Sequence, residues 1–282
     1  MAAIQYSQGT FTGSDGTQRY EQFWRPASPK AAVAIVHGYA EHSGRYANFA
    51  VNLAQQNFAV YAFDLRGHGK SEGERGYVNS LNEFAADLEI FLRAVRQREA
   101  DQPLFLLGHS MGGTIATLFT IQLQQSHSLL QGLILSGPLL KVGLAALLGY
   151  PLSVLSHFWP NLPTIRLDST AISRDAAVVE GYQIDPLVYH GRLSAQTVTA
   201  ILQATQQIQA QQQRISLSLL ILHGTADRLA TVAGSQLLYQ QAQSPDKTLK
   251  CYTGLYHEVL NESAPQVLSD LTSWLTERLQ LT

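Results

Sequence analysis

A single cysteine, Cys251, stands in a chain of 282 residues, so neither an intrachain disulfide nor a thiolate metal cluster can be built from this sequence. Charge is scarce as well: Asp, Glu, Lys and Arg make up 14% of the residues, against about a quarter in an average globular protein. The 21 acidic residues nearly cancel the 19 Lys and Arg. With no basic run, the chain has no electrostatic footprint for nucleic acid and no charge-based reason to bind an anionic membrane. The opening residues, Met1 to Thr10, contain neither a basic segment nor an apolar one. No secretory signal is read there, and a cytoplasmic location is the expectation. The leucine-rich stretch Leu139 to Trp159 is interrupted by Lys141, Gly143, Gly149, Pro151 and His157, which argues against a membrane span. No internal repeat is visible.

What is present is a core-forming composition, 45% hydrophobic, laid out in a strand-helix rhythm. A turn signal at Ser14-Asp15-Gly16, inside Thr10 to Trp24, suggests a β-hairpin. Apolar runs follow at 31–36, 59–63, 104–107, 133–135, 219–222 and 249–252. Helical stretches separate them at 46–55, from Leu81, from Ser110, at 232–242 and at 265–279. The helix from Leu81 opens with Ser80-Leu-Asn-Glu83, the pattern of a capping box, and places Phe84, Leu88, Phe91, Leu92 and Val95 on one face. Strands that are apolar throughout belong in a parallel sheet covered on both sides. The fold class is therefore α/β, doubly wound. Between Pro138 and about Arg214 the rhythm stops and no strand is read. An insertion at 139–214, mostly helical, is the expectation, with residues 1–138 and 215–282 forming the sheet domain. The Gln-rich stretch at 203–213 reads as a helix leading out of the insertion.

The chemistry centres on Gly108-His-Ser110-Met-Gly112. It follows one of the apolar runs directly and leads into a helical segment, so the context is strand, sharp turn, helix. A serine at such a turn is held in a strained conformation with its hydroxyl projecting from the sheet edge, and the flanking glycines let neighbouring backbone pass. A serine hydroxyl is a weak nucleophile at neutral pH. It needs a base to take its proton and a carboxylate to hold that base in the right tautomer. In this architecture the order along the chain is serine, then acid, then histidine. Asp227 follows the late strand that ends at Gly224. His257 lies beyond it, after the last strand-like run, and no other of the nine histidines does. Ser110, Asp227 and His257 are therefore the expected triad. Two backbone N–H groups must face the oxyanion that forms on the attacked carbonyl. Met111 supplies one, and Tyr39, after the flexible His37-Gly38 turn, supplies the other.

Other patterns fail. Gly69-Lys70-Ser71 lacks the first glycine of a phosphate loop, where Asp64 stands, and His37, Glu41 and His42 do not have zinc-protease spacing. No metal and no cofactor are expected. Asp64-Leu-Arg66-Gly-His68-Gly69 reads as a loop network beside the site.

The segments 37–46, 64–73, 108–113, 223–229 and Tyr256-His257 together resemble the monoacylglycerol lipases of the α/β-hydrolase superfamily, a group that shares much of this motif set with lysophospholipases. The most specific of these elements is Glu41-His-Ser-Gly-Arg-Tyr46. The insertion also matches in places, at Pro160-Asn-Leu162, Ser173-Arg174 and Asp185-Pro-Leu187. The resemblance implies the α/β-hydrolase fold: a mostly parallel eight-stranded sheet flanked by helices and covered by a helical cap. It implies a lipid ester substrate, with acyl-chain contacts in the Leu139 to Trp159 region and Glu41, Arg45, His109 and Tyr182 around a glycerol head. Ala230 stands where mammalian members carry cysteine. The expected activity is hydrolysis of monoacylglycerol through an acyl-enzyme. The alternatives are a lysophospholipase, a broad-specificity carboxylesterase, a peptidase or a ligand-binding receptor that keeps the triad. The apolar cap could dock transiently on a membrane.

Overall fold

The computed structural model describes residues 3–122, 129–141, 149–262 and 265–279. Eight strands form one sheet in the order β1-β2-β4-β3-β5-β6-β9-β10. The first two, β1 (Ile4–Thr12) and β2 (Gln18–Pro26), are an antiparallel hairpin, and β2 pairs antiparallel with β4 (Phe58–Phe63). The hairpin turns where the sequence places it, with Gly16 at φ 83°, but its strands run well beyond Thr10 and Trp24. The remaining pairings are parallel, joining β4, β3 (Ala31–Val36), β5 (Leu104–His109), β6 (Gly132–Ser136), β9 (Ser218–Gly224) and β10 (Lys247–Tyr252).

The continuous apolar strands are explained by cover on both faces. Along β3, Ala32, Ala34 and Val36 join one buried cluster while Ala31, Val33 and Ile35 join another, as the two-residue alternation of a strand requires. The first cluster takes in Phe84, Leu88 and Phe91 of α2 (Leu81–Arg98), Ile115 and Phe119 of α3 (Met111–Gln122), and Leu238. The second takes in Phe49 and Leu53 of α1 (Ala47–Gln55), and Leu271 and Trp274 of the closing helix Pro265–Leu279. Each fully buried Leu, Ile or Phe here contributes about 1.5–3 kcal/mol of transfer free energy. One expectation about α2 is only half met. Ser80 does cap the helix by accepting from Asn82 N, but the Glu83 carboxylate turns outward to Arg66 and Asn79, where charge and amide donors outcompete the return bond to Ser80.

The segment between β6 and β9 crosses the carboxyl edge of the sheet. It holds α4 (Gly149–Phe158), α5 (Ala176–Ile184) and α6 (Ala195–Gln211), so the region is a helical cap, and the Gln-rich stretch is helical as read. The reading of no strand there needs correction. β7 (Pro163–Arg166) and β8 (Arg192–Ser194) pair antiparallel in a small second sheet. Residues 142–148 of the leucine-rich run lie outside the described residues. Among the described residues, no helix is long and apolar enough to cross a membrane. Backbone bonds tie cap to core: Tyr189 N donates to Ala40 O at 2.8 Å and Glu258 N to Ile172 O at 2.8 Å.

Candidate active site

β5 ends at His109 and α3 begins at Met111, leaving Ser110 alone on the turn between them with φ 53°. That left-handed conformation costs a non-glycine residue about 1–3 kcal/mol and persists only when its surroundings fix it. They do: Ser110 N donates to Ser136 O at 3.0 Å, and Thr114 N donates back to Ser110 O at 3.2 Å. Both flanking glycines are required sterically. A Cβ on Gly108 would fall on the backbone of Gly112 and Gly113, and one on Gly112 would strike the carbonyls of Val36 and His37. This is the strained turn expected from the motif.

The loop after β10 brings His257 to the same edge, and the loop after β9 brings Asp227. His257 Nε2 lies 2.8 Å from Ser110 Oγ, and His257 Nδ1 lies 2.7 Å from Asp227 Oδ2. Asp227 could instead have been a helix-terminal carboxylate, but that role belongs to Thr231, whose hydroxyl caps the helix α7 (Val232–Gln241). Asp227 accepts from Leu229 N at 2.8 Å and Ala230 N at 2.9 Å through Oδ1. Burial alone would raise its pKa, but hydrogen bonds from His223 and His257 and from Ala230 N hold it well below the ordinary carboxylate range. An ionised Asp227 facing Nδ1 fixes the proton there and leaves Nε2 free to accept from Ser110.

The cavity over Ser110 is about 30 Å³. Its polar wall is Glu41, His109 and Glu258, and its apolar wall is Leu167, Ile172 and Leu229, with Gly38, Tyr39 and Tyr182 completing the lining. Gly38 N–H is already committed to Glu41 Oε1 at 2.6 Å. Met111, as the first residue of α3, has an N–H without an intrahelical acceptor. His109 donates from Nδ1 to Ser136 O at 2.9 Å, and its ring centroid is 4.8 Å from that of His257. Burial and the neighbouring His257 depress its pKa to about 4, so it is neutral at working pH.

The four residues read from the resemblance as head-group contacts do come together, in two different positions. Glu41, His109 and Tyr182 line the cavity, whereas Arg45 stands behind the lining. Its guanidinium reaches Glu41 at 2.8 Å and Glu258 at 2.6 and 2.8 Å, and sits 4.9 Å from the Tyr182 ring centroid. Burial favours neutral Glu41, but the adjacent Arg45 charge outweighs it and keeps the carboxylate ionised. Tyr46 OH adds a bond to Glu41 at 2.8 Å. Asp64 is the expected loop network: it accepts from Ser43 N at 2.8 Å and Lys70 N at 2.8 Å, steadying the loops beneath the site. Glu258, His223 and the apolar wall were not found from sequence. Adjacency to His257 was an available signal for Glu258, and a place in the segment 223–229 around Asp227 was one for His223 and Leu229; Leu167 and Ile172 had none, because their contacts arise only from the folding of distant loops.

Fold and site together define a serine hydrolase of the α/β-hydrolase class. A family model described as "Serine aminopeptidase, S33" matches residues 27–264. The chain is 37% identical to a monoacylglycerol lipase of Mycolicibacterium smegmatis, over 99% of this chain and 100% of that one. It is 36% identical to the monoglyceride lipase of Rattus norvegicus, over 94% of this chain and 89% of that one. A solved structure of the Paleococcus ferrophilus monoacylglycerol lipase superposes with a TM-score of 0.79 at 27% identity, covering 98% of this chain and 99% of that one. The chain belongs to the monoacylglycerol lipase family of α/β-hydrolases and is a carboxylic ester hydrolase.

Proposed function

We propose that the chain hydrolyses monoacylglycerols to fatty acid and glycerol, with Ser110 as nucleophile, His257 as base and Asp227 as the orienting acid. The observation that carries this reading is the continuous bonding from Ser110 Oγ through His257 to Asp227, at 2.8 and 2.7 Å, beneath a cavity with one polar and one apolar wall. His257 takes the Ser110 proton as Oγ attacks the ester carbonyl, and the resulting oxyanion faces the N–H groups of Tyr39 and Met111. Commitment of Gly38 N–H to Glu41 leaves Tyr39 as the donor from that loop. Each such donor is worth roughly 3 kcal/mol in the transition state. Collapse expels the alcohol, which receives the proton from His257 and leaves an acyl ester on Ser110. His257 then takes a proton from water, the hydroxide attacks the ester, and fatty acid departs as the proton returns to Ser110.

In this reading residues 139–214 form the cap and residues 1–138 with 215–282 the core. Glu41, His109 and Tyr182 meet the glycerol head, and Arg45 holds the Glu41 carboxylate for it. Among the described residues the cavity of about 30 Å³ holds a water or two but not an acyl chain, which supports a reading in which the cap moves to admit substrate. Each acyl methylene buried on entry contributes roughly 0.8 kcal/mol. Phe158, Trp159, Ile165 and Ile184 are exposed on the cap, and they support transient contact with the membrane that supplies the lipid. Peptide hydrolysis, suggested by the wording of the family description, has less support. A peptide amino terminus needs an uncommitted carboxylate, and both acids in the wall, Glu41 and Glu258, are paired with Arg45.

A hydrolysis panel tests the substrate. Wild type is expected to process medium- and long-chain monoacylglycerols with kcat/KM at least ~10-fold above lysophospholipids, diacylglycerols, short p-nitrophenyl esters and aminoacyl amides, a margin of about 1.4 kcal/mol. Ser110→Ala run alongside should lose the activity. Preference for lysophospholipids or short esters, or turnover of the amides, overturns the assignment.

A further inference from the structure

Asp227 has a second histidine partner that the mechanism above does not use. His223 is the penultimate residue of β9, fully buried, and its Nε2 lies 3.2 Å from Asp227 Oδ2, the same oxygen that His257 engages. Nε2 is also 3.0 Å from Ala230 O. Both neighbours are acceptors, so Nε2 must carry a proton. On the other side of the ring, Nδ1 is 2.8 Å from Ser235 Oγ, a fully buried hydroxyl on α7 that can donate to it. The ring is thus held in one tautomer and one orientation, its single N–H donating to Ala230 O and Nε2 lying beside the carboxylate oxygen at 3.2 Å.

Resting on the reading of Ser110, His257 and Asp227 as the reacting set, we infer that His223 is a positioning residue for that reaction. Its Nε2 packs at 3.2 Å against the Asp227 oxygen that His257 Nδ1 engages, and Ala230 O and the Ser235 hydroxyl set which nitrogen of His223 carries the proton. The bonds from Leu229 N and Ala230 N fix only Oδ1. Rotation of the carboxylate about its own axis is resisted at Oδ2 by His223, independently of whether His257 is neutral or protonated. The carboxylate therefore keeps its aim while the imidazole cycles between base and acid.

The test is a double-mutant cycle in kcat on a monoacylglycerol, using purified full-length chain whose folding is checked by thermal melting. Asp227→Asn should lower kcat by about 10⁴-fold; if it does not, the triad reading itself fails, and that failure is distinct from failure of this inference. In the otherwise native chain, His223→Leu should lower kcat by about 10²-fold, as expected for misplacement of a catalytic group. KM should change by less than about twofold, because His223 does not line the cavity. In the Asp227→Asn background the same change should cost less than about threefold, since there is no longer a carboxylate to aim. His223→Gln keeps an amide N–H near the position of Nε2 and should restore kcat to within about fivefold of wild type. Equal losses in both backgrounds, no loss in a folded His223→Leu chain, or a glutamine variant as poor as the leucine variant would each overturn the assignment. Should His223→Leu not fold, the glutamine variant and Ser235→Ala carry the test. The first is then expected near wild type and the second reduced in kcat with KM preserved, and the reverse order overturns it.

Discussion

The sheet and the outer surface of the cap use the same kind of side chain in opposite ways. In the sheet Ile35, Leu107, Ile134 and Leu222 are fully buried, whereas in the cap Phe158, Ile165 and Ile184 are 66%, 61% and 75% exposed. Apolar surface in the sheet is consumed in holding the strands in register. That register carries Ser110, Asp227 and His257 to one edge from positions far apart in the chain. Part of the apolar surface of the cap is left open to what lies outside the protein, while Ala200, Ile201, Ala204 and Ile208 of α6 pack into the first core cluster and bonds such as Tyr189 N to Ala40 O and His42 to Asp185 add to that contact. The precise geometry at Ser110 therefore belongs to the core, and in the proposed function admission of substrate belongs to the cap.

The largest expected break in this contrast comes from the sheet. Leu107→Ala, at the centre of β5, should cost about 2–5 kcal/mol of stability in denaturant titration, because it leaves a cavity in a packed interior. Hydrolysis of every substrate should fall only through loss of folded protein. A milder effect follows from acid. His37, His68 and His109 sit in loops or strand ends of the core, and burial depresses all three, His68 to about 3 and His109 to about 4. Once unfolded they return to the ordinary value near 6.5 and take up protons below it. Their neutral burial therefore costs nothing above pH 6.5, and stability declines as pH falls from there toward 4. The denaturation midpoint should be lower at pH 5 than at pH 7.5, and a midpoint unchanged or raised at pH 5 would contradict the burial of these rings. The smallest effect on stability belongs to the cap. Ile184→Ser should shift stability by no more than about 0.5 kcal/mol, yet lower kcat/KM for long acyl chains on vesicles more than for short esters in solution.

Legibility in the sequence divides along the same line. The run 31–36 and the closing helix 265–279 coincide with the structural elements to the residue. Buried parallel strands are apolar from end to end, and the helix shows a clear amphipathic period. The serine turn was legible because its glycines are demanded by backbone contacts that any chain in this conformation must make. The strands β7 and β8, four and three residues long, were not legible. They are too short and too polar to show a period, and they exist only because the cap folds back on itself. The Arg45–Glu258 pair spans 213 residues, and no local pattern encodes a contact of that reach. The half-made capping box at Ser80 has the same origin, since Arg66 comes from another loop and takes Glu83 away.

The central claim is that Ser110 reacts because His257 draws its proton. It is tested most directly by incubating the chain with an alkyl fluorophosphonate and mapping the adduct by mass spectrometry. The account predicts a single adduct on Ser110, formed at least ~10³-fold more slowly in His257→Ala. An adduct on another residue, or equal labelling rates in the two proteins, would contradict it.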